Sequence, residues 1–105
     1  MLRGDGTVTA RQRAGSSLLV VHSAKRTDPS RPARVGFVVS RAVGNSVVRH
    51  RVVRRLRALM APRMVALSPS TDVVVRANPA AATATFDELA AALDSALDRA
   101  CGGRR

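Results

Sequence analysis

Arg49, Arg51, Arg54, Arg55 and Arg57 crowd into nine consecutive residues, and guanidinium groups at that density have one obvious chemistry. Each planar fork can bind two phosphate oxygens at once and stack on a flat ring, whereas an ammonium acts as a point charge. Arg41 and the sequence Gly44-Asn45-Ser46 stand just upstream, followed by His50 inside the block. No acidic residue occurs between Asp28 and Asp72, so nearby carboxylates do not neutralise these cations. A polyanion partner suits such a stretch; a solvated basic face with no partner is the competing reading. Acid–base chemistry is the other possibility that residue types raise. His22, His50 and Lys25 could serve a ribonuclease of that kind, but nothing in the sequence brings them together. The clustered carboxylates of a two-metal nuclease are absent from the basic block. No catalytic residue and no metal ligand is therefore expected.

The elements that must carry these side chains can be read from periodicity. Leu18-Leu19-Val20-Val21-His22 is a short β-branched run that predicts a strand. Arg26 to Pro32 is turn chemistry, and Arg34 to Ser40 predicts a second strand, paired antiparallel with the first. Gly44-Asn45-Ser46 breaks the chain and opens a helix, with Asn45 or Ser46 as N-cap. Val48, Val52, Leu56 and Leu59 form its apolar stripe, with the arginines on the remaining surface. Arg49 departs from that division, lying toward the apolar side. Asp72 to Arg76 predicts a third strand. Thr85-Phe86-Asp87-Glu88 fits a capping box for a last helix whose stripe is Phe86, Leu89, Leu93, Ala96, Leu97 and Ala100. The expected fold is α+β, a two-layer sandwich of a small sheet and helices in the order β-β-α-β-α.

Composition sets the outer bounds. The chain has 105 residues, enough for one small domain; residues 1–15 read as a loose lead-in and 101–105 as a frayed tail. Eighteen Lys plus Arg against seven Asp plus Glu give a net charge of +11, and Lys25 is the only lysine. The charge is segregated: nine arginines fall between Asp28 and Asp72, whereas Asp72 to Asp98 holds five acids and Arg76 alone. No apolar run approaches the ~20 residues that span a bilayer, and residues 1–6 lack the apolar core of a secretion signal. A cytoplasmic protein is the expectation. Cys101, the one cysteine, has no internal disulfide partner and no metal-ligand spacing around it.

The ordered block from Val35 to Arg57, Val-Gly-Phe-Val-Val-Ser-Arg-Ala-Val-Gly-Asn-Ser-Val-Val-Arg-His-Arg-Val-Val-Arg-Arg-Leu-Arg, resembles the signature of the bacterial ribonuclease P protein family. Val35, Gly36, Val39, Ser40, Val43, Gly44, Asn45 and Val47 match it, as do Arg49, Arg51, Arg54 and Arg57; Arg41 stands in for a lysine. A Val-Val-Val-Arg-Ala strand, a proline and a helix opening Phe-Asp-Glu-Leu extend the likeness over about residues 16 to 100. The resemblance implies the small protein subunit of a ribonucleoprotein endoribonuclease, in which the RNA carries out hydrolysis during tRNA 5′ maturation. By the same resemblance Arg41, Asn45, Arg49, His50, Arg51, Arg54, Arg55 and Arg57 would contact the catalytic RNA. A cleft on the sheet, with His22 and Phe37 as its candidate residues, would hold the 5′ leader of precursor tRNA. It further implies a left-handed crossover between the parallel strands flanking the basic helix, magnesium in the RNA–protein complex, and one protein per RNA.

Three departures accompany the match. His50 stands where the family has Asn, and Val53 where it often has Lys. Relatives begin with a basic amphipathic helix that walls the leader cleft, and this sequence starts after it, so either the wall is lacking or the start lies further upstream. A nonenzymatic RNA or DNA binder of ribosomal or architectural type fits the composition equally; only the ordered signature separates it. A membrane-surface helix fits less well, because the arginine helix lacks Trp or Phe anchors.

Overall fold

The computed structural model describes residues 8–28 and 30–102. Four strands form one sheet: β1 (Val8–Gly15), β2 (Leu19–Arg26), β3 (Arg34–Val38) and β4 (Thr71–Ala77). Two helices cross it, α1 (Ser46–Met60) and α2 (Phe86–Leu97). The spatial order is β1-β2-β4-β3; β1–β2 and β2–β4 are antiparallel and β3–β4 is parallel.

This order corrects two expectations. First, β1 lies within the segment read as a loose lead-in. Arg11, Gln12 and Arg13 are exposed and only Ala14 of that stretch is buried, so an edge strand held by its backbone ladder to β2 carries almost no apolar alternation. Second, β2 and β3 do not pair with each other, because β4 lies between them. Instead of turning back as a hairpin, the chain after β2 brings Arg31 to the entrance of β4. Backbone hydrogen bonds from Arg26 N to Ser70 O (3.0 Å) and from Ser70 N to Arg31 O (2.8 Å) fasten it there. Ser70 takes a positive φ of 65° to make both bonds.

Alternation along β2 and β4 then sorts side chains between two faces. Leu19, Val21, Val73 and Val75 point inward and are at most 1% exposed. Against them pack Val52, Leu56, Leu59 and Met60 of α1, which recur at helical spacing, and Leu89, Leu93, Ala96 and Leu97 of α2. Phe86 is the exception in the α2 stripe: at the first helical position it is 43% exposed. Pro62, lacking a backbone N–H, ends α1 in a 3-10 turn, Ala61–Ala66. The α2 capping box forms as the sequence predicts, with Glu88 N donating to Thr85 Oγ1 (3.0 Å) and Thr85 N to Glu88 Oε1 (2.8 Å).

Beyond α2 the chain continues as a π turn, Asp98–Gly102, so the first two residues of the expected tail, Cys101 and Gly102, belong to ordered structure; the rest lie outside the described residues. The reason is a buried anchor, Ser23 Oγ donating to Ala100 O at 2.7 Å. Cys101 sits half-buried against the core, and burial pushes its thiol pKa upward. No helix among the described residues is long and apolar enough to cross a membrane.

Candidate nucleic-acid interface

The entrance of α1 is built first by sterics. Val43 is buried, and the turn preceding the helix closes with Val43 N donating to Ser40 O and Gly44 N to Arg41 O, both 3.1 Å. A side chain at Gly44 would put its Cβ 2.8 Å from Val48 Cγ1 and 2.9 Å from Val48 Cβ, closer than carbon atoms approach; only glycine lets the turn meet the helix. Asn45 then caps it, its Oδ1 accepting from Val48 N at 3.0 Å. Asn45 thus satisfies an otherwise orphan N–H, work that a sequence reading can assign equally to an RNA contact.

The arginines of α1 divide by helical angle. On one flank, Arg51 Nη2 donates to Ala82 O (3.5 Å) and Arg55 Nη1 to Ala84 O (3.2 Å), fastening α1 to the segment that leads into α2. On the other flank, Arg49, His50 and Arg57 line a groove with Phe37 and Val39 of the β3 side. Arg54 is exposed on the ridge between, and Arg41 is exposed at the entrance turn. Among the described residues the ion pairs are Arg26–Asp72, Arg34–Asp72 and Arg63–Asp94; no carboxylate reaches Arg41 or any arginine of α1. Arg49, which the sequence marks as lying toward the apolar side, is half-buried, and its Nε is buried with no hydrogen-bond partner.

A second basic surface covers the sheet face turned away from the helices. The register aligns Arg13, His22, Val74 and Gly36 in one row and Arg11, Ala24, Asp72 and Arg34 in the next. A groove of about 490 Å³ runs over this face, lined by Arg11, Arg13, His22, Arg26, Asp72 and Val74 among others. Among the described residues Asp72 is its one acid. Arg34 donates to both its oxygens (3.1 and 3.2 Å) and Arg26 Nε to Oδ2. These bonds, Arg34's foremost, hold the Asp72 carboxyl below the usual carboxylate range despite partial burial. The carboxylate thereby orders two arginines while leaving the face cationic.

His22 and Phe37, expected together in one cleft, stand on opposite sides of the sheet. His22 opposes outward Val74, whereas Phe37 opposes inward Val75 and packs against the core. Period-two alternation separates them once β4 fixes the register. Arg11, Arg13 and Arg76, which share the outer face with His22, escape a reading of the sequence because β1 itself does. The alternation of Arg11 and Arg13 about Gln12 is the one signal they leave. Among the described residues no group of three or more His, Cys, Asp or Glu could hold a metal ion.

Comparison with known proteins places this architecture. The ribonuclease P protein of Staphylococcus aureus superposes with a TM-score of 0.73 at 22% identity, covering 84% of this chain and 79% of its own. That of Thermotoga maritima superposes at 0.72 and 21% identity, covering 88% and 86%. At such identities the likeness concerns the fold. In sequence, the ribonuclease P protein component of Streptomyces bikiniensis is 52% identical over 99 residues, 88% of this chain and 80% of the relative. A Mycobacterium relative of the same description (strain KMS) is 46% identical over 94 residues, 90% and 80% of the respective chains. The family model described as Ribonuclease P matches residues 5–101. With that match running from before β1 to the π turn, the chain belongs to the ribonuclease P protein family, the protein components of a ribonucleoprotein endoribonuclease.

Proposed function

We propose that this chain binds ribonuclease P RNA through α1 and its entrance turn, and the 5′ leader of precursor tRNA across the outer face of the sheet. The observation that carries the reading is the absence, among the described residues, of carboxylate partners for Arg41 and for every arginine of α1, while Asp72 holds two arginines and Asp94 one elsewhere. Unpaired guanidinium groups on a rigid helix make a preorganised phosphate site, strengthened by the positive end of the helix dipole. Arg41, Arg49, His50, Arg54 and Arg57 supply the main contacts. Arg51 and Arg55 add donors beyond those spent on Ala82 and Ala84. Asn45 acts by fixing the helix start.

The outer sheet face suits a single strand. Arg11, Arg13 and Arg76 provide cations for its backbone, and His22 with Val74 and Val38 offers flat and apolar surface for bases. Hydrolysis then belongs to the RNA together with its own magnesium ions, and the protein supplies a surface of hydrogen-bond donors. One protein joins one RNA, in the cytoplasm where precursor tRNA is made.

Reconstitution tests this reading. The protein alone cleaves no precursor tRNA; mixed with its cognate RNA at low magnesium, it restores 5′ processing. Equal cleavage by the RNA alone under those conditions, or no binding of the protein to the RNA, would sink it.

A further inference from the structure

The groove between β3 and α1 has a chemistry that a plain phosphate-binding strip would not need. Phe37 and Val39 line it from the sheet side and Val53 from the helix. A backbone phosphate gains nothing from such walls, whereas the flat face of a nucleobase does. Arg49 enters the same groove with its Nε buried and partnerless. A desolvated N–H of this kind calls for an acceptor, and the edge of a base supplies one at the depth where the donor sits. His50, Ser46 and Arg57 complete the lining with groups that suit the phosphates on either side. The volume, about 340 Å³, lies at the lower end of the ~300–1,000 Å³ that small-molecule pockets occupy.

We infer that this groove receives one unstacked nucleotide of the bound RNA, base inward against Phe37, Val39 and Val53, with its edge hydrogen-bonded to Arg49. Guanine fits best, because its O6 and N7 accept the two parallel N–H groups of an arginine fork. The inference rests on α1 being the RNA-binding face and specifies how that face recognises its partner. Val53 has a definite part in it: between Arg49 and Arg57 on the same flank, it keeps one wall apolar where another cation would favour backbone over base.

The test uses the full chain, its cognate ribonuclease P RNA and two variants. Val53→Phe fills the groove without altering charge; Arg49→Lys keeps the charge but removes the Nε donor and the planar fork. Binding is measured across a salt series, and base-edge reactivity is probed nucleotide by nucleotide with and without protein. The wild type should shield N7 of one unpaired guanine. Both variants should expose that base and bind about tenfold more weakly, with the salt slope unchanged because phosphate contacts persist. If Val53→Phe melts like the wild type yet retains affinity and every protection, the groove holds no base and the inference falls while RNA binding by α1 stands. If Val53→Phe does not fold, Arg49→Lys decides by the same criteria. If Arg54→Glu with Arg57→Glu leaves RNA binding untouched, α1 is not the RNA face, and both readings fall.

Discussion

The two flanks of α1 carry the same side chain and use it differently. Arg51 and Arg55 reach carbonyl groups of Ala82 and Ala84, and so join the helix to the rest of the protein. Arg49 and Arg57, on the opposite flank, meet no acidic group among the described residues and border an open groove. A count of arginines cannot make this distinction, and neither can net charge. What separates an anchoring arginine from a recognising one is the acceptor that the fold places within reach of its flank.

Four experiments would break or sharpen that contrast. The largest effect should come from reversing charge on the exposed ridge and groove, Arg54→Glu with Arg57→Glu. RNA affinity should fall on the order of a hundredfold near 0.15 M salt, with the log–log salt slope shallower by about 2 and no change in Tm. A slope equal to the wild type's would mean that the RNA lies elsewhere. Asn45→Ala should cost about 1 kcal/mol of unfolding free energy in a urea titration, and Asn45→Ser should recover most of it; a loss of RNA affinity without loss of stability would show that the amide is a contact and not a cap.

Arg55→Met paired with Arg57→Met tests the contrast directly. The first should lower stability by ~1 kcal/mol, the usual worth of one hydrogen bond, with a modest effect on RNA. The second should leave stability alone and weaken RNA binding. The smallest effect concerns the outer face. Because the Asp72 pKa is depressed in the folded protein, its pairing stabilises the fold above the unfolded value of ~3.9 and ceases to do so as pH falls through the lower folded value. Between pH 7 and pH 3, Asp72→Asn should remove a few tenths to ~1 kcal/mol of the acid-side loss of stability; an identical acid limb in the variant would show that the pair contributes nothing.

Much of the site was legible in the sequence because it is local. The N-cap at Asn45 or Ser46, which proves to be Asn45, the buried stripe of Val52, Leu56 and Leu59, and the anomaly at Arg49 all follow from residue types a few positions apart. The capping box of α2 is equally local. What escaped depends on neighbours far along the chain. β1 is a strand because β2 offers it a backbone ladder, since its own apolar residues are few and small and Gln12 interrupts their alternation. The separation of His22 from Phe37 follows from registers that β4 imposes on β2 and β3. Likewise, nothing near Arg51 or Arg55 in the sequence announces the carbonyl groups that hold them, which lie 31 and 29 residues further on.

The position of β4 governs the order in which the protein can be assembled. It is the one strand flanked by β2 and β3 on its two edges, yet it follows both of them, and α1, in the chain. A nascent polypeptide that has emerged only through α1 therefore possesses a hairpin, a lone strand and a cationic helix with no sheet to rest on. Closure of the long β2–β4 loop must precede the contacts that reward it, which slows folding relative to a protein of local contacts. During that interval the arginine helix is the most highly charged and least supported part of the molecule. A polyanion that engaged it early would hold a helix whose floor had yet to be laid, so productive assembly with RNA has to wait for the central strand.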